Sequence, residues 1–185
     1  MKNSKKILIL ILILSIIAGL FVFKFYSKST TSDAYQNELS NDQKRILVED
    51  AYQNFAWGWN YHGAAIFNDG CIYTWNNHDV ESSHPGKKND DVSKWILTYG
   101  TKHELKVSSD DLAKIESSMK TLSDTLTPIA DSIPMNDAGS NYLQVWNENT
   151  TFTLIQTGDI SKENTTPESQ AIRSIVKTYF DKVKN

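Results

Sequence analysis

Cysteine is almost missing from this chain. Cys71 is the only one among 185 residues, so no disulfide can close within the chain and stability has to come from packing. No cysteine stands at the end of the N-terminal apolar run, which removes a lipidated cysteine as an anchor. Catalytic signatures are missing as well: there is no Gly-x-Ser-x-Gly, no phosphate-cradling glycine run, no His-Glu-x-x-His and no paired-cysteine metal motif. Basic excess is missing too. All 22 acidic residues but only 14 of the 19 basic ones lie from Ser29 onward, a net charge of −8. Such a surface argues against nucleic acid and against clinging to anionic lipid headgroups. Internal repeats are also absent, and no low-complexity tract occurs beyond the apolar run.

That run, Ile7 to Phe23, is the most informative feature present. Lys2, Lys5 and Lys6 precede it, and Lys24 and Lys28 follow. As a helix it would cover roughly 26 Å of a hydrocarbon core about 30 Å thick. Lys24 can snorkel, and Phe25 and Tyr26 carry the apolar character into the headgroup zone. We read it as a single-pass membrane anchor with a cytoplasmic N-terminus, following the lysine bias, and with the remainder outside the cytoplasm. The competing reading is a cleaved secretory signal, cut at Ser27-Lys28-Ser29 or Ser32-Asp33-Ala34, which would make the protein secreted. The run is long for a signal, and lysines sit where a cleavage region should be neutral. The expected organisation is therefore 1–28 anchor or signal, 29–39 polar spacer, and 40–185 one extracytoplasmic domain, large enough for a single core.

Patterning predicts an α+β domain with an antiparallel sheet of about six strands, as three hairpins, and three helices packed on one sheet face. Ser40-Asn41-Asp42-Gln43 has capping-box spacing, and Leu47, Val48, Ala51, Tyr52 and Phe55 recur at helical spacing, predicting a helix from Asn41 through Ala56. Tyr61 to Phe67 and Cys71 to Trp75 flank Asn68-Asp69-Gly70, a strong hairpin signal. A polar loop is expected from Asn76 to Val92. Ser93 to Tyr99 with His103 to Val107 predicts a second hairpin, and Tyr142 to Asn147 with Thr151 to Thr157 a third. Between them, Ser108 or Ser109 caps a helix with Leu112, Ile115, Met119, Leu122 and Leu126 on one face. Thr166-Pro167 opens a final helix carrying Ile172, Ile175, Val176, Tyr179, Phe180 and Val183. Asn149-Thr150-Thr151 and Asn164-Thr165-Thr166 are glycosylation sequons.

Two regions could carry a site. Eight aromatic residues crowd between Tyr52 and Trp75, and rings on an exposed surface could stack against a sugar or an aromatic ligand. Trp57, Trp59, Tyr61 and Trp75 are the candidates, set against the plainer expectation that these rings build a core. The loop after Trp75 offers His78, Asp79, Glu81, His84, Asp90 and Asp91. His78, Asp79 and His84 are candidate binding residues there, although their spacing matches no metal-ligand pattern. Cys71 enters a strand behind a turn, which does not lower a thiol pKa, so pairing with His62, His78, His84 or His103 as a nucleophile is disfavoured. The expected function is a non-catalytic extracytoplasmic domain, tethered through Ile7 to Phe23. It would bind an envelope protein, a peptide or a wall glycan, with no cofactor, metal or nucleic acid. A small metal-assisted hydrolase using the His78 to Asp91 loop is the alternative, and a structural subunit of an envelope complex is the third.

Overall fold

The computed structural model describes residues 39–54, 60–77, 87–130, 139–158 and 160–184. All of them belong to one compact unit, Leu39–Asn185. A 3₁₀ turn, Asn41–Gln43, leads into strands β1 (Ile46–Asn54), β2 (Asn60–Phe67) and β3 (Cys71–Asn77). Helix α1 (Asn89–Tyr99), β4 (Thr101–Lys106), α2 (Ser109–Thr121), β5 (Thr127–Pro128), β6 (Ser140–Asn147), β7 (Thr150–Gly158), β8 (Lys162–Glu163) and α3 (Pro167–Val183) follow. The domain is α+β, with an eight-stranded antiparallel sheet in the order β4-β3-β2-β1-β6-β7-β8-β5. Among the described residues no helix is long and apolar enough to cross a membrane; Ile7 to Phe23 lies outside them.

Three expectations need correction. The segment read as the first helix is, as far as Asn54, the 3₁₀ turn followed by β1, a central strand between β2 and β6; Phe55 and Ala56 lie outside the described residues. Ser40 Oγ bonds Gln43 Oε1 at 3.0 Å and caps no backbone N–H. A strand buried on both sides shows apolar runs rather than alternation, and its run imitated a helical stripe. A register shift between Ile46 and Val48 sends these two side chains into clusters on opposite faces.

The second correction concerns Ser93 to Tyr99, which is not a strand but the end of α1; Val92, Trp95, Ile96 and Tyr99 fall at helical spacing. At the two ends of the expected loop from Asn76 to Val92, Asn76 and Asn77 belong to β3 and Asn89 to Val92 to α1, while residues 78–86 lie outside the described ones. Strand β4 therefore pairs with β3 rather than with its predecessor in the chain. The expected helix after Ser108 stops at Thr121, so Leu126 lies beyond it.

Thirdly, the helices cover both faces of the sheet. Helices α2 and α3 pack Leu112, Ile115, Ile172, Val176 and Phe180 onto Val48, Ala64, Ile66, Ile72, Val145 and Leu154. Helix α1 packs Val92, Trp95 and Ile96 onto the reverse side, over Ala51, Tyr61, Ala65, Phe67, Tyr73, Trp75 and Trp146. Two caps act as the sequence suggests. Ser108 Oγ accepts from Asp111 N at 3.2 Å, and Thr166 Oγ1 from Ser169 N at 3.3 Å, one residue before Pro167. The Asn68-Asp69-Gly70 turn closes through Gly70 N–H to Phe67 O at 2.9 Å, with Gly70 at φ 77°.

Candidate functional site

Of the residues singled out in the sequence, Trp57, Trp59, His78, Asp79, Glu81 and His84 lie outside the described residues. Tyr61 and Trp75 are described, and both are core. Tyr61 is 3 % exposed and Trp75 5 %. The Tyr61 ring centroid stands 5.1 Å from that of Trp75 and 5.4 Å from that of Trp95, beneath α1. These two rings are spent on packing, so they offer no face to a ligand. Asp90 and Asp91 occupy the first turn of α1, where Asp90 bridges Arg45 at 2.5 Å.

Cys71 is fully buried on the α1 face. Burial and the neighbouring Asp69 charge push its thiol above the ordinary range. His62 and His103 belong to the other face, where His103 Nε2 meets Thr74 Oγ1 at 2.8 Å. Among the described residues no three His, Cys, Asp or Glu side chains gather as a metal set.

The α1 face conceals a polar node that the sequence reading missed. Glu49, 1 % exposed, accepts four hydrogen bonds. Tyr61 and Tyr142 hydroxyls donate to Oε1 at 2.5 and 3.1 Å. Gln144 Nε2 and Trp146 Nε1 each donate to Oε2 at 2.9 Å. Burial and the Glu49 charge drive both tyrosines well above their ordinary pKa. The only sequence signal is an acidic residue inside the apolar stretch Ile-Leu-Val-Glu-Asp-Ala. With Glu49, Tyr61 and Trp146 buried and Tyr142 and Gln144 partly exposed at its edge, this node ties β1, β2 and β6 together.

An open groove lies on the opposite face, where α3 ends. A groove of about 440 Å³ is lined by residues of β1, β2, β3 and β6 together with Thr101 and Lys184. Strand register explains its floor. Asn141 pairs with Tyr52, Tyr52 with His62, and His62 with Asn76. An amide, a phenol, an imidazole and a second amide thus stand in one row across four strands, about 14 Å long at the usual strand spacing. The next row carries Asp50, Ala64, Thr74 and Thr101. All these side chains share a face because each pairing keeps the two-residue alternation in phase.

Several contacts order the row. Tyr52 and His62 stack with ring centroids 4.9 Å apart. Asn54 Nδ2 donates to the Tyr52 hydroxyl at 2.9 Å, and His62 Nδ1 lies 3.1 Å from Asn60 Oδ1. Asn76, Asn141 and Thr101 are exposed. Lys184, one residue past α3, reaches Asp50 Oδ2 at 2.7 Å. The groove therefore presents amide, hydroxyl and imidazole groups beside one aromatic stack and one ion pair, a lining suited to holding a polar molecule. No family model, no curated protein and no solved structure matches this chain.

Proposed function

We propose that this is a binding domain held outside the cytoplasm by its N-terminal segment, or released by its cleavage, and that it binds an envelope glycan in the groove over Tyr52 and His62. One observation carries the reading: the row Asn141–Tyr52–His62–Asn76 crosses four adjacent strands on an open sheet face. Extended sugars are held by planar amide groups that match their hydroxyls and by rings that lie against their faces. Residues Ile7 to Phe23 supply the membrane attachment, and the polar stretch 29–39 supplies reach. The acidic surface keeps the domain from adhering to anionic lipid, which leaves the groove open to the envelope.

The test is a nuclear magnetic resonance titration of the full chain in detergent with soluble envelope glycan fragments. The ring signals of Tyr52 and His62 should move in a saturable way, while those of buried Tyr61 stay in place. If no fragment moves them, or if peptides or an envelope protein move them instead, the glycan reading is wrong.

A further inference from the structure

We infer that the glycan taken up by this groove carries a free amino group, and that Lys184 occupies the place of that ammonium until the sugar arrives; the inference rests on the groove being a glycan site. Among the described residues that line the groove, Asp50 is the one carboxylate and Lys184 the one ammonium. They meet at 2.7 Å, so the chain's own lysine marks where a ligand ammonium would sit. Asp50 lies one register row from Tyr52 and His62, close enough for one sugar ring to meet the stack and the carboxylate together.

The pair is built to open. The side chains of Lys184 and Asp50 are 37 % and 36 % exposed, which makes the contact a weak, water-screened one. The backbone of Lys184 is held separately from its side chain, its N–H donating to Phe180 O at 3.1 Å. In that same position its ammonium lies 5.4 Å from the Phe180 ring centroid, so a ligand amine has to displace this aromatic contact together with the ion pair. The side chain can therefore swing away without unwinding α3. A ligand ammonium then restores the charge balance of Asp50, whereas an N-acetylated sugar at the same place would leave Asp50 with Lys184 and gain nothing from it.

The experiment compares a deacetylated glucosamine oligomer with its N-acetylated counterpart by calorimetry. It uses the full chain in detergent, at low salt and at a pH that keeps the amine protonated. The amine form should bind about tenfold more tightly, the difference a charge-assisted hydrogen bond supplies at a half-exposed site. Asp50→Asn should erase that preference. Lys184→Gln should tighten the amine form about two- to fivefold by removing its competitor. Equal affinity for both oligomers, or a preference that survives Asp50→Asn, overturns the ammonium assignment while the glycan groove stands. A lysine-ended peptide that binds as tightly as the amine sugar overturns the choice of a sugar. Binding of neither oligomer overturns both readings.

Discussion

Replacing Glu49 by leucine should destabilise the domain more than replacing it by glutamine, the reverse of what hydrophobicity alone would give. Leucine has nearly the right size, and it relieves the cost of keeping a carboxylate out of water. But it strands four donors, and two of them, on Tyr61 and Trp146 at 3 % and 6 % exposure, have no route to solvent. Each stranded donor costs about 1–3 kcal/mol, so Glu49→Leu should lose about 2–6 kcal/mol, less whatever is recovered from the buried charge. Glutamine can place its carbonyl where Oε2 sits, accepting from Gln144 and Trp146. Its amino group then faces Tyr61 and Tyr142, whose hydroxyls can turn from donating to accepting. What remains is the loss of charge assistance, about 1–2 kcal/mol.

Urea unfolding of residues 39–185, which contain both core clusters, measures this through tryptophan fluorescence. A leucine variant as stable as its parent, or more stable than the glutamine variant, would refute the reasoning. A second readout is independent of stability. Without the Glu49 charge, Tyr61 and Tyr142 should ionise at lower pH in the folded state, visible in tyrosinate absorption.

Other outcomes follow from the same structure. Lys44 and Asp69 form an ion pair at 3.0 Å with side chains 4 % and 3 % exposed, so Asp69→Asn should cost about 3–5 kcal/mol by leaving a buried cation unpaired. A second change, Lys44→Met, should recover most of that loss in the same unfolding assay. On the alkaline side, Cys71, Tyr61 and Tyr142 keep their protons in the fold above their ordinary values of 9.0 for the thiol and 10.0 for the phenols. The folded state then binds more protons than the unfolded one, so stability should hold up to about pH 9 and fall above it. The slope is about 1.4 kcal/mol per pH unit for each group, and a flat profile to pH 11 would contradict it. Glu148, at φ 54° in the β6–β7 turn, should tolerate Glu148→Gly with no loss or a gain of up to about 1 kcal/mol, measured as a shift in Tm.

Local chemistry made the turns and caps legible in advance. Asn68-Asp69-Gly70, Ser108 and Thr166-Pro167 each specify one geometry over three or four residues, and the structure realises all three. What misled was packing against the core, on both faces of the first segment and on one face of the second. Ile46 to Asn54 and Asn89 to Tyr99 each face a core, and the β-favouring Trp-Ile-Leu-Thr-Tyr of the second reads as a strand until Val92 is counted with it. Strand order was beyond reach, because nothing local says that β1 takes β6 as its neighbour. The groove went unread for the same reason: Tyr52, His62, Asn76 and Asn141 span 90 positions and meet only through the register of β1 with β2 and β6. One sequon also changes meaning in the fold. Asn164 is fully buried, its Nδ2 donating to Ser123 O and its Oδ1 accepting from Thr166 N and Oγ1, so the folded domain offers it to no glycosylating enzyme.

The groove floor depends on one close approach, and that gives its most direct structural test. Gly63 stands between His62 and Ala64 and pairs with Ala51, which stands between Asp50 and Tyr52. A Cβ at Gly63 would lie 2.8 Å from both Cα and Cβ of Ala51 and would press on the carbonyl oxygen of Asp50. Most of that obstruction is backbone, so the strands themselves would have to part, beneath the Tyr52–His62 stack. Gly63→Ala should therefore cost about 1–3 kcal/mol as an overpacked contact, and it should weaken groove binding although no groove side chain has changed. Ala51→Gly added to Gly63→Ala removes one of the two Cβ atoms and should return part of both. If Gly63→Ala keeps the parent's stability and its Tyr52 and His62 ring signals, β1 and β2 are not held together tightly enough to set the spacing of the row, and the geometric basis for a glycan site is lost.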